Sequence, residues 1–169
     1  MIISITGMPL SGKTTLINEI KKEIDIPVLS TGDLARELGM RYEESIKSYD
    51  MSMDLNEAII DHVLTFINEH KHCILDGFPR SEEQIKLLMS YNLSVIFVQA
   101  NPLEIYERAV NRNRDKNDKY EVVVGRCEAS IKLKQKLYEH LDNFIIFTSD
   151  DRFDEYKGDI IKYIKGRIK

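Results

Sequence analysis

Gly7, Gly12, Lys13 and Thr14 stand in the run Gly7-Met8-Pro9-Leu10-Ser11-Gly12-Lys13-Thr14, the spacing G-x-x-x-x-G-K-T placed between an apolar run and an amphipathic one. Residue types in that order suit phosphate chemistry. The two glycines let the backbone turn tightly and approach an anion with its N–H groups, and a helix opening near Lys13 adds its positive dipole end. Lys13 sets a cation against the β- and γ-phosphates of a nucleoside triphosphate, and the Thr14 hydroxyl is a ligand for Mg²⁺. The whole loop, with Pro9, Leu10, Ser11 and Thr15, is therefore expected to hold a nucleoside triphosphate, which the family resemblance given below makes ATP.

Two arginines point to a second anion. Arg36 follows Ser30-Thr31-Gly32-Asp33, and Arg80 follows Asp76-Gly77-Phe78-Pro79, so each lies just past an apolar run and beside a glycine. A guanidinium holds phosphate through paired hydrogen bonds. Either arginine alone reads as a surface ion pair, but both beside a phosphate-binding loop read as a second phosphate site. Farther on, Arg108, Arg112, Arg114, Lys116, Lys119 and Arg126 outweigh Asp115, Asp118 and Glu121, a local cationic excess in a chain whose formal charge is -4. Arg108 and Arg112 are one helical turn apart and can serve one site. A solvated basic loop is the plainer reading of that stretch.

The elements that must position these groups follow from periodicity. Five apolar runs, at residues 2–6, 27–30, 72–76, 93–100 and 143–148, are near-continuous rather than alternating, as in a parallel sheet covered on both faces. Leu16, Ile17, Ile20 and Ile24 form one helical stripe, and Leu55, Ile59, Ile60, Val63, Leu64 and Ile67 another. Ser81 with Gln84 has capping-box spacing, and Asn101-Pro102 with Glu104 is a second helix start. Further helices are expected at about 125–141 and 153–168. Strand and helix in alternation give an α/β doubly wound order, with ligands beyond the carboxyl ends of the strands.

Composition narrows the rest. A chain of 169 residues with 43% hydrophobic and 31% charged residues is an ordinary globular domain, expected to be one unit over 1–169. No apolar run approaches the ~20 residues of a membrane span. The apolar start carries no basic leader and reads as a buried strand, so a cytoplasmic protein is expected. Net acidity disfavours a nucleic-acid partner. Cys73 and Cys127 are too few for a disulfide framework and are expected reduced, and the four histidines form no metal pattern.

The blocks GMPLSGKTT, STGDLAR and DGFPRSEEQ, in this order, resemble the adenylate kinase family of nucleoside monophosphate kinases. The likeness runs through residues 1–84, resumes at 101–112, and is looser beyond. It implies a P-loop kinase fold, three-layered α/β/α with a five-stranded parallel sheet, carrying a small monophosphate-binding helical segment at 31–61 and a short lid at 112–127. It also implies that Thr31, Gly32, Arg36, Gly77, Arg80 and Gln84 hold the acceptor, Gln84 facing its base. Asp76 would orient a water on Mg²⁺ beside Thr14. Arg108 would lie against the ATP base and Arg112 reach the transferred phosphate, with Arg114 and Arg126 closing the lid. Leu10 departs from the family, standing where glycine is frequent. No zinc is expected in so short a lid without a Cys or His cluster.

The implied reaction is transfer of the γ-phosphoryl of ATP-Mg to a nucleoside monophosphate, AMP first, with Lys13, Arg80, Arg112, Arg114 and Arg126 as the catalytic cations. CMP, UMP or another small molecule as acceptor, and a nucleotide-dependent assembly ATPase, stay open as alternatives. Small-molecule nucleotides are the expected partners, with no membrane partner and a monomeric state.

Overall fold

In the computed structural model, the described residues are 1–38, 53–112, 119–142, 144–149 and 153–168. Among them run β1 (Ile2–Gly7), α1 (Lys13–Glu23), β2 (Val28–Ser30), α2 (Thr31–Glu37), α3 (Met53–Glu69), β3 (Cys73–Asp76), α4 (Glu82–Leu88), β4 (Leu93–Gln99), α5 (Pro102–Arg112), α6 (Tyr120–His140), β5 (Phe144–Thr148) and α7 (Phe153–Arg167). The five strands form one sheet in the order β2-β3-β1-β4-β5, and every pairing is parallel. This is the P-loop kinase architecture, an α/β fold.

Near-continuous apolar strands bury both faces, and they do so against different helices. Ile3, Ile5, Ile74, Ile96 and Val98 pack with Leu16, Ile17 and Ile20 of α1 and Ile160 and Ile164 of α7. On the other face, Ile2, Cys73 and Leu75 meet Ile59, Val63 and Ile67 of α3, while Val95 and Phe97 meet Ile85 of α4 and Leu133 and Leu137 of α6. Ile3, Ile5, Ile74 and Ile96 are 0% exposed. Each such side chain is worth about 1.5–3 kcal/mol of burial, so the strands that carry the phosphate loops are the firmest part of the molecule.

Parallel registry sets those loops side by side. Ser30 pairs with Asp76, and Ile5 pairs with the same Asp76, while Gly7 pairs with Val98. The chain leaves β1 toward β2 on one side and β3 crosses to β4 on the other, so the crevice of the sheet opens at β1.

Two expectations need correction. The helix anticipated from about residue 125 begins at Tyr120, because Gly125 lies inside α6 rather than at its start; a Cβ there would meet nothing within 4 Å. Glycine punctuates helices only weakly when the surrounding residues keep the pattern. Ser81 does cap α4, its Oγ accepting from the Gln84 N–H at 3.3 Å. The Gln84 side chain, however, does not return to Ser81 as a capping box would. Its Oε1 accepts from the Arg80 N–H at 2.7 Å.

Candidate active site

The loop after β1 is shaped by three residues with positive φ: Gly7 at 133°, Leu10 at 55° and Gly12 at 88°. Gly7 admits no side chain, since a Cβ would lie 2.0 Å from the Val98 carbonyl oxygen. Leu10 explains why glycine is common at its position, for it occupies the left-handed region at a cost of about 1–2 kcal/mol. Its carbonyl accepts from Arg108 Nη1 at 3.0 Å, and Arg108 Nη2 donates to Glu104 at 2.8 Å. Ser11 closes the loop internally through Met8 O at 2.8 Å.

Lys13 sits at the centre. Its Nζ donates to the carbonyls of Gly7, at 3.2 Å, and Met8. Enclosure of that ammonium by protein brings its pKa down to about 7; Asp76 opposes the fall, and Arg80 and Arg126 add to it. Asp76, at the end of β3, is pushed the other way by burial, with Lys13 and Arg80 holding it back.

Two cavities meet at Lys13. One of about 250 Å³ is lined by Leu10, Ser11, Gly12, Lys13, Thr14, Thr15 and Arg108. The second, about 50 Å³, is lined by Thr6, Gly7, Pro9, Lys13, Gly77, Arg80 and Arg126. A small cavity walled by three cations, and a larger one at the N-terminus of an eleven-residue helix, are both suited to anions.

Arg80 is set by its own turn, Nε donating to the Gly77 carbonyl at 2.7 Å. Gly77 has φ 77°, and a Cβ there would lie 2.9 Å from Arg80 Nη2 and 3.2 Å from Thr31 Oγ1. Thr31 Oγ1 donates to the Asp76 carbonyl at 3.0 Å, which ties the start of α2 to the end of β3. Arg36 pairs with Asp33 on the surface, yet Arg36 Nη1 and Arg80 Nη2 both come within 4 Å of where a Gly32 Cβ would stand. The two guanidinium groups thus converge over Gly32.

Of the remaining sequence-derived residues, Gln84 is 1% exposed, with both amide atoms engaged: Oε1 by Arg80 and Nε2 by Asn56 Oδ1 at 2.7 Å. Arg112 is the last residue of α5. Arg114 lies outside the described residues. Oxygen donors for a hard cation are present in the exposed Thr14 hydroxyl on the larger cavity and the Asp76 carboxyl facing Lys13, a set that suits Mg²⁺ completed by water and phosphate.

Patterning did not single out Ser4 and Thr6. Both are buried hydroxyls on β1, and they donate to the Phe78 carbonyl and, at 3.0 Å, to the Pro79 carbonyl, fastening the Arg80 turn to the strand beneath the Gly7 loop. Their signal was available, since a hydroxyl in a strand buried on both faces must find a partner.

Residues 6–124 match the family model described as an AAA domain. An adenylate kinase of Mycolicibacterium vanbaalenii is 32% identical over 75% of this chain and 77% of its own length. The chain belongs to the adenylate kinase family. Adenylate kinases of Buchnera aphidicola and Rickettsia peacockii are each 29% identical, covering 96% and 100% of this chain and 89% and 80% of their own. As a member of that family the chain is a P-loop phosphotransferase. No helix among the described residues is long and apolar enough to cross a membrane.

Proposed function

We propose that this adenylate kinase family member transfers the γ-phosphoryl group of ATP-Mg to a nucleoside monophosphate, with AMP the preferred acceptor. The observation that carries the reading is Lys13 in the wall of both cavities, one over the helix N-terminus and one beside Arg80. AMP follows from the relatives, which are named adenylate kinases.

The chemistry asks for placement and charge. A transferred phosphoryl group passes through a loose transition state whose charge lies on its outer oxygens. Gly7 to Thr15 hold the donor, Arg36 and Arg80 the acceptor phosphate, and Lys13, Arg80 and Arg126 ring the point between them. Thr14 and Asp76 would hold Mg²⁺, which when bound neutralises phosphate charge. Arg108, at the Leu10 carbonyl, borders the donor side. The segment 31–61 supplies the acceptor site and 112–127 the lid, in which Arg112, Arg114 and Arg126 complete the cationic ring and exclude water as a competing acceptor.

Purified protein given ATP-Mg and, in turn, AMP, CMP, UMP, GMP and dTMP tests this. Diphosphate is expected fastest with AMP; no diphosphate from any of the five overturns the reading.

A further inference from the structure

β5 ends the sheet and pairs on one side only, with β4. The Ser149 N–H donates to the Gln99 carbonyl at 2.8 Å, so in a parallel ladder the alternate residues Ile145 and Phe147 also turn their backbone groups toward β4. Phe144, Ile146 and Thr148 therefore hold their N–H and C=O groups outward. Edge strands are commonly guarded by charge or proline, and Phe144–Thr148 has neither. Beside this edge lies a cavity of about 330 Å³ that shares no lining residue with the two at Lys13. Residues 145–148 form one wall, and Tyr156, Asp159 and Ile160 of α7 the other. Asp159 is exposed and, among the described residues, makes no ion pair or hydrogen bond, not even with Lys162 three positions on. Ile145 and Phe147 face α7, so Ile146 lies on the opposite face of the strand with Phe144. There the exposed Ile146 and Tyr138 offer apolar surface, the Tyr138 ring standing edge-on to Phe144 at 4.6 Å.

We propose that this edge and its groove are a docking site for an extended, lysine- or arginine-bearing segment of another polypeptide, which adds to the five-stranded sheet beyond β5. The outward N–H and C=O groups supply the backbone hydrogen bonds of strand addition, and contacts to alternate side chains supply selectivity. Side chains of an added strand point to the two faces in turn. Those on the α7 face meet Asp159 and are cationic; those on the other face meet Ile146 and Tyr138 and are apolar. Charge decides against a second copy of this chain as the occupant. Edge-to-edge pairing about a two-fold axis lays α7 beside its own copy and sets Asp159 against Asp159, with Glu155 one helical turn away. The same carboxylates attract a cationic partner.

The test is fluorescence anisotropy of labelled peptides of about eight residues, long enough for one strand, with the full chain. A peptide alternating valine and lysine should bind about tenfold or more tightly than one alternating valine and glutamate. N-methylation of the amides of either its valines or its lysines should abolish binding, and methylation of the other set should not, because only one set faces β5. Asp159→Lys should reverse the order of the two peptides. Ile146→Pro removes an outward N–H without touching the ladder to β4, and should weaken the valine–lysine peptide about tenfold or more. Melting temperatures are measured alongside; if Ile146→Pro does not fold, Asp159→Lys and the methylated peptides decide. Equal binding of the two parent peptides, indifference to both methylations, or an order unchanged by Asp159→Lys overturns the proposal. So does binding of neither peptide. A dimer of the free chain in sedimentation that Ile146→Pro dissolves also overturns it, since the edge then belongs to a second copy.

Discussion

Raising the pH from 7 toward 9 should weaken nucleotide binding through one group, Lys13. Its enclosed ammonium has a pKa of about 7 in the free protein, burial being the main cause, with Arg80 and Arg126 contributing and Asp76 opposing. A bound triphosphate brings several negative charges against the same nitrogen and restores the charged form. At pH 8 only about a tenth of the free protein carries that proton, so binding should take up about 0.9 of a proton. Above pH 7 the affinity should then fall about tenfold per pH unit, or about 1.4 kcal/mol. Titration calorimetry at pH 8 in buffers of different ionisation enthalpy reads the uptake directly, at a pH where the nucleotide phosphates are already ionised. Lys13→Arg, whose guanidinium never sheds its proton, should show neither the uptake nor the slope. The linkage has the opposite sign in folding, which releases that proton where binding takes it up. Between pH 7 and 10.5 the unfolded chain binds more protons at this site, so Lys13 makes stability rise with pH there. Zero uptake by wild type at pH 8, with affinity flat up to pH 9, would refute the enclosure of Lys13.

Arg80→Ala should reduce turnover by ~10³ with melting little changed, as steady-state kinetics and thermal denaturation will report. Gly77→Ala imposes a side chain at φ 77° and 2.9 Å from Arg80 Nη2. A cost of about 1–2 kcal/mol should lower the melting temperature by about 2–8 °C, and the acceptor KM should rise more than that for ATP. Glu82 is held down to about 2 by hydrogen bonds from Lys86, His140 and Lys136. Its contribution is present above the unfolded pKa of 4.5 and lost as pH falls through about 2, so Glu82→Gln should flatten the acid limb of melting temperature against pH.

The phosphate loop was legible because its residues announce their own geometry. Gly7 and Gly12 stand where positive φ is required, and Gly7 where the Val98 carbonyl leaves no room for a side chain. The sheet was legible because strands covered on both faces are near-continuously apolar. Gly125 misled for the opposite reason: a glycine in an exposed helix face carries no geometric demand, so α6 runs through it from Tyr120. What patterning could not show is pairing across distant segments. Ser4 and Thr6 fasten a turn more than seventy residues away, and Asn56 joins Gln84 from another helix. Spacing placed Gln84 in a capping box, whereas the Arg80 N–H took its oxygen. Arg114 and the charged run at 39–52 lie outside the described residues.

On the function proposed above, one cleft grips two phosphate chains with Lys13 between them. The direct measurement is calorimetric binding of a compound in which two adenosines are joined by a chain of phosphates long enough to span both cavities. Affinity well above that of ATP or AMP alone is expected, with one molecule per chain and loss of the excess in Arg80→Ala. Affinity equal to that of ATP, unchanged by Arg80→Ala, would contradict it.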